Sequence, residues 1–202
     1  MTIVNVGYRS TNYWVISEGN SRLLVDLGWP GMAGALFANL ERKGIPFNEV
    51  RYGFATHYHM DHAGAAQDLK SRGMRLIVTP EQVASIEPMT QWMKPEFNYT
   101  PIVMADNLVV ALSESRRLLK SIGFDGELVH TPGHSDDSVS LILDSGEAFT
   151  GDLTPPALAT EEQRDAIESS WQSLRDRGAS LVYAGHGPVR PLKDPRQRIA
   201  TQ

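Results

Sequence analysis

Residues 54–65 read FATHYHMDHAGA and place three histidines and one aspartate, His57, His59, Asp61 and His62, within six consecutive positions. Imidazole nitrogens and carboxylate oxygens are ligands for zinc and related divalent ions. The chain has no cysteine, so any transition metal must be held by nitrogen and oxygen alone. In an extended segment, residues two apart point to the same side, which lets His57 and His59 converge on one ion. Helical metal sites differ, because there the paired histidines stand four apart. Asp61 and His62 lie where DHAGAAQDLK begins to read as a helix, and an aspartate at a helix start also suits the helix dipole.

Three further candidates stand later in the chain: His134 in TPGHSDDS, Asp152 in FTGD and His186 in AGHG. Five of the six histidines therefore belong to this set. A catalytic zinc commonly takes three protein ligands and leaves a position for water. His57, His59 and His134 satisfy that number, and Asp61, His62 and His186 satisfy it again. Asp152 can reach both ions with its two oxygens, as the bridge of a two-metal hydrolase would. The sixth histidine, His130, sits inside a strand pattern and reads as a hydrogen-bonded structural residue.

The elements that must position these residues are legible from their periodicity. Strands are expected at 2–7, 13–17, 22–28, 50–56, 75–79, 108–112, 127–131, 138–143, 147–151 and 180–185. Helices are expected at 31–43 before Gly44 and at 62–72 before Gly73. Two more are expected after Thr79-Pro80-Glu81-Gln82 and after Thr160 with Gln163, the latter closed by Gly178. Arg116, Arg117 and Lys120 form a basic run at near-helical spacing and read as a solvated face. Four apolar runs lead directly into His57, His134, Asp152 and His186. In α/β proteins, ligands gather beyond the carboxyl ends of strands, and this arrangement points to a mixed α/β sandwich with such a crevice.

The 202 residues suit one domain spanning 1–202. Hydrophobic residues make up 41% and charged residues 21%, a balance typical of globular proteins. The formal net charge of −5 argues against nucleic acid as a partner. No apolar run approaches the roughly 20 residues of a membrane span, and MTIVNVGYRS does not read as a signal peptide. A cytoplasmic protein acting on a small molecule is expected, with the oligomeric state left open.

HYHMDH resembles the H-x-H-x-D-H motif of the metallo-β-lactamase superfamily. TPGHSDDSVSL, FTGD and AGHG resemble its later motifs, in the family's order, and LLVDLG resembles its early strand ending in an aspartate, here Asp26. The resemblance covers nearly the whole chain and implies an αββα sandwich of two mixed sheets flanked by helices. It also implies a binuclear site at the edge between the sheets, with two Zn2+, or iron or manganese in their place, and hydrolysis by a bridging hydroxide. His57, His59, Asp61, His62, His134, Asp152 and His186 would be the ligands. Asp61 would also orient the nucleophile or move a proton, and Asp26 would fix a ligand histidine through its other ring nitrogen.

Departures from the pattern narrow the expected activity. His59 replaces the glutamate of flavodiiron members, and Asp152 resembles the glyoxalase II and lactonase branches. The antibiotic-hydrolysing enzymes carry a cysteine or serine near that place, so at most a weak β-lactamase activity is implied. Pro155 stands where some lactonases have a tyrosine, and the chain stops soon after Gly187, where glyoxalase II continues into a helical domain. The leading expectation is hydrolysis of a small ester, thioester, lactone or amide. The alternative is a mononuclear iron persulfide dioxygenase of the same fold. Substrate selection is expected from Trp29 in GWPG and from Trp92, Phe97 and Tyr99 in the 88–101 segment, read either as an apolar lid or as a layer covering the core.

Overall fold

Three successive apolar side chains can bury both faces of a sheet, and residues 14–16 and 23–25 do so here. Trp14 and Ile16 of one and Leu23 and Val25 of the other face one core, while Val15 and Leu24 face a second. The computed structural model describes residues 1–192. In chain order its elements are β1 (Thr2–Asn5), β2 (Trp14–Glu18), β3 (Ser21–Val25), α1 (Ala33–Arg42), β4 (Tyr52–Phe54), α2 (Met60–Ala63), α3 (Ala66–Lys70), β5 (Arg75–Val78) and α4 (Pro80–Met89). There follow β6 (Leu108–Val109), α5 (Leu112–Ser121), β7 (Gly126–His130), β8 (Val139–Leu143), β9 (Glu147–Gly151), α6 (Arg164–Asp176), β10 (Leu181–Ala184) and β11 (Arg190–Pro191).

The strands form a six-stranded sheet in the order β1-β2-β3-β4-β5-β6 and a five-stranded sheet in the order β11-β10-β9-β8-β7. β1 to β3 run antiparallel, and β3 to β6 continue in parallel. In the second sheet β7, β8 and β9 are antiparallel and β10 lies parallel to β9. Phe54 and Ile77 of the first sheet meet Leu141 and Phe149 of the second in the core between them. Outside the first sheet, Leu36, Leu40 and Leu69 of α1 and α3 cover Leu24, Leu76 and Val78. Outside the second, Ile167, Trp171 and Leu174 of α6 cover Ala148 and Val182. The molecule is the αββα sandwich that the motifs imply. Among the described residues no helix is long and apolar enough to cross a membrane.

Each expected strand is present; five are shorter by a residue or two, and those expected at 50–56 and 108–112 shrink to Tyr52–Phe54 and Leu108–Val109. Two helix expectations need correction. The helix expected at 62–72 is split into α2 and α3, because the 27–30 loop takes its hydrogen bonds. Leu27 donates to the His62 carbonyl at 2.6 Å, and the Ala65 N–H goes to Gly28 at 3.1 Å. α6 starts at Arg164 rather than at Thr160. The Gln163 amide oxygen accepts from the Thr160 hydroxyl at 3.1 Å, so the reciprocal bond of a capping box is not made. The Thr79–Gln82 pair does cap α4, with the Thr79 N–H donating to Gln82 at 3.1 Å. α5 was foreshadowed only by its basic run; Arg116 pairs there with Asp144 and Glu127 on an exposed face.

Trp171 is 1% exposed and fixes the loop that follows β9. Its indole N–H donates to the Thr154 carbonyl at 2.8 Å, close to Asp152. Truncating such a buried aromatic costs about 3–5 kcal/mol.

Candidate metal centre

Five strand ends meet at one edge of the sandwich. β3 runs into Asp26, β4 into His57, β7 into the loop carrying His134, β9 into Asp152 and β10 into His186. His59 precedes α2, which carries Asp61 and His62 on its single turn. The loops are tied across the gap between the sheets. Val139 donates to the Thr56 carbonyl at 2.8 Å, and Asn12 to that of Gly185 at 2.7 Å. Glycine is required at 185, where a Cβ would come within 2.5 Å of the His62 ring and 2.6 Å of the Asp152 carboxylate. Gly151 has φ +51°, and a Cβ there would press on Thr56.

The structure brings all seven candidate ligands together. Nδ1 of His59 lies 3.0 Å from Nε2 of both His57 and His134. Nε2 of His62 lies 3.4 Å from Oδ2 of Asp61, which is 3.3 Å from Nε2 of His186. Asp152 stands between the two groups. Its Oδ1 is 3.3 Å from His62, and its Oδ2 is 3.4 Å from His186 and 3.7 Å from His134. Three sets of candidate ligand atoms lie within coordinating range: His57 with His59 and His134, His57 with His62 and Asp152, and Asp61 with His62 and His186.

A second layer of hydrogen bonds fixes how the ring nitrogens face. Asp26 adopts φ +63°, a left-handed conformation that aspartate tolerates better than most residues, and this turns its carboxylate back under the site. Its Oδ2 accepts from Nδ1 of His62 at 2.9 Å. Its Oδ1 accepts from the N–H of Thr56 at 2.8 Å and from the Thr56 hydroxyl at 2.9 Å. That hydroxyl in turn lies 3.2 Å from Nδ1 of His57 and can accept a hydrogen bond from its N–H. Nδ1 of His186 donates to the Ser10 carbonyl at 2.8 Å. Three histidines thus turn Nε2 inward. Thr11 donates to Oδ2 of Asp61 at 3.0 Å, and Gln82 braces the approach to His57 by donating to the Ala55 carbonyl at 2.8 Å. His130 stays outside the cluster and donates to the Asp136 carbonyl at 2.7 Å, clamping the loop that presents His134.

The electrostatics separate the two buried histidines. Burial, reinforced by the surrounding histidines, holds His57 well below the ordinary histidine range. Burial acts in the same direction on His62, but the carboxylates of Asp26 and Asp152 outweigh it and hold its pKa well above that range. Burial also lowers His134. Asp152 is lowered as well, because His62 and its neighbours overcome the upward push of burial.

A cation fits this donor set. Nε2 of His62 and Oδ1 of Asp152 are buried, 3.3 Å apart, and neither has a hydrogen bond of acceptable geometry. A buried polar atom left this way costs about 1–3 kcal/mol, which a bound ion would remove. A nitrogen and oxygen set without thiolate suits zinc, iron or manganese.

The residues expected to select the substrate separate. Trp92 stands at the rim of a cleft that opens on His59 and Asp61. Trp29 and Tyr99 pack instead against the core outside the first sheet, and the Phe97 carbonyl approaches Gly31. The segment beyond Tyr99 is strapped to α3 by Thr100 to Asp68 at 2.9 Å and by the Val103 N–H to Gln67 at 2.9 Å. The sequence marks Gln82 only as a helix cap and does not single out Thr11, Thr56 or Asp137. Thr56 and Asp137 adjoin the His57 and His134 motifs, a usable signal, whereas nothing local marks Thr11.

Residues 6–186 match the family model described as the metallo-beta-lactamase superfamily. An atrochrysone carboxyl ACP thioesterase from Passalora fulva is 30% identical over 189 residues, covering 90% of this chain and 50% of the relative. A probable metallo-hydrolase from Methanocaldococcus jannaschii is 26% identical over 193 residues, covering 91% of this chain and 90% of the relative. The chain spans about half the length of most of the curated relatives it matches. A metallo-beta-lactamase family protein from Thermus thermophilus has the same fold, with a TM-score of 0.70 at 22% identity over 98% of this chain and 76% of that one.

Proposed function

The chain belongs to the metallo-β-lactamase superfamily, and on that premise we propose that it is a binuclear, zinc-dependent hydrolase of small esters or thioesters. The observation that carries this reading is the pair of unpartnered buried atoms, Nε2 of His62 and Oδ1 of Asp152, set between two groups of three ligands. His57, His59 and His134 would hold one ion, and Asp61, His62 and His186 the other. Asp152 would face both with its two oxygens. Thioesters are favoured within the broader class of ester, thioester, lactone and amide, because several relatives are named as carboxyl ACP thioesterases.

Bound there, the ions would supply Lewis acidity, making a water acidic enough to attack near neutral pH and drawing charge from a carbonyl oxygen. The chain's own part is to orient and to move a proton. Asp61, steadied by Thr11 and lying beside His62 and His186, would align the incoming water and take its proton. The left-handed turn at Asp26 keeps His62 directed inward, and through Thr56 it does the same for His57. The products are a carboxylic acid and an alcohol or thiol.

The test is a panel of thioester, ester, lactone and β-lactam substrates assayed with metal-stripped and zinc-reloaded protein. Thioester hydrolysis that disappears on stripping and returns with zinc is the expected result. Equal turnover by the stripped protein would overturn the proposal, and so would turnover confined to β-lactams.

A further inference from the structure

One large feature of the molecule takes no part in holding metal. A cleft of about 470 Å³ starts at His59 and Asp61 and extends along α4 to Trp92. That volume falls in the range of small-molecule sites. Its walls are side chains of Met60, Ala84, Pro88, Met89 and Trp92, over the ring of Tyr58. The buried carboxylate in its lining, Asp137, is already committed, since it accepts the Tyr58 N–H at 2.7 Å. Away from the candidate ligands, the lining residues add the Ser85 hydroxyl, the Trp92 indole N–H and the buried Tyr58 hydroxyl, which has no hydrogen-bond partner among the described residues. Trp92 is 71% exposed, an unusual setting for an indole, and it stands where the short helical turn Thr90–Trp92 continues α4 past Pro88.

We propose that this cleft is the acyl subsite and takes a nonpolar chain or ring from the ester or thioester whose carbonyl lies at the His59 and Asp61 end. The proposal rests on the hydrolase reading of the metal centre. Continuity supports it, because His59 and Asp61 belong both to the ligand cluster and to the cleft lining. A polar acyl group would find few partners along these walls, whereas each buried methylene gains from leaving water. Trp92 then closes over the far end of the chain, burying surface that now faces solvent.

The test is a series of straight-chain acyl thioesters of N-acetylcysteamine, from acetyl to decanoyl, with the native protein, Ala84→Trp and Trp92→Ala. kcat/KM is expected to rise roughly fourfold per methylene until the cleft is filled. Ala84→Trp fills the cleft and should bring the decanoyl-to-acetyl ratio close to one. Trp92→Ala, on an exposed residue that the fold does not depend on, should lower the ratio about tenfold. A second arm uses the non-hydrolysable S-decyl and S-ethyl thioethers in calorimetry. The decyl compound should bind native protein at least about tenfold more tightly, and Ala84→Trp should remove that advantage. Absence of length dependence in native protein, or its survival in Ala84→Trp, would overturn the subsite. Preferential decyl binding that Ala84→Trp removes, without hydrolysis of any thioester, would uphold the cleft's affinity for apolar chains and defeat the hydrolase reading instead.

Discussion

His57 and His62 are 1% and 0% exposed, and the fold braces them differently. His62 faces the Asp26 carboxylate directly, with Nδ1 2.9 Å from Oδ2. His57 reaches the same carboxylate only through the Thr56 hydroxyl. The direct pairing holds the His62 pKa up against burial, while burial and neighbouring imidazoles push His57 down. One carboxylate can therefore orient candidate ligands of both groups while pairing directly with just one of them. At neutral pH His57 offers a lone pair freely, and a metal at His62 must displace a proton.

The most severe break is Asp152→Ala, which removes the side chain common to both groups. Metal content should fall in both groups and hydrolysis by about 10³-fold, measured by elemental analysis beside the thioester assay. Retention of two metals would show that Asp152 belongs to neither group.

Asp26→Asn separates charge from shape, because asparagine still offers Thr56 an acceptor. In metal-free protein it should cost about 3 kcal/mol by leaving His62 without its counter-charge. The folded pKa of His62 lies above its unfolded value. Its pairing therefore contributes stability that is full below about pH 6.5 and lost as pH rises through the folded value. The Asp26→Asn penalty, read from denaturant unfolding at several pH values, should be largest in acid and shrink toward alkaline pH. A penalty that grows with pH would contradict the pairing. His57 carries the opposite sign, contributing stability above about pH 6.5 that is lost as pH falls toward its lowered folded value.

Thr56→Val sharpens the contrast by cutting the relay to His57 and leaving the His62–Asp26 pair in place. It should weaken one of two zinc sites by about tenfold, whereas Asp26→Asn should weaken both. Thr11→Ala is the mildest change. Loss of one hydrogen bond to Asp61 should cost about 1 kcal/mol, roughly a fivefold drop in affinity at the other site.

The parts of the molecule readable in advance were those written in contiguous residues. His57, His134, Asp152 and His186 each follow an apolar run, and the run both forms the strand and sets the residue at its end. The bond from Thr11 to Asp61 had no such signature, since it depends on the β1–β2 turn folding over the end of β10. The break between α2 and α3 was hidden for the same reason: carbonyl and N–H groups of the distant 27–30 loop compete for the helix's own bonds. In the 88–101 segment, aromatic residues without a clear period gave no basis for assigning Trp92 to the cleft and Tyr99 to the core.

The most direct test of the central claim is calorimetric titration of metal-free protein with zinc, comparing the native chain with His186→Ala. Two equivalents for the native chain and one for the variant are the expected result. A single equivalent in both, or purified native protein that holds one iron and takes up no second ion, would contradict the two-metal account.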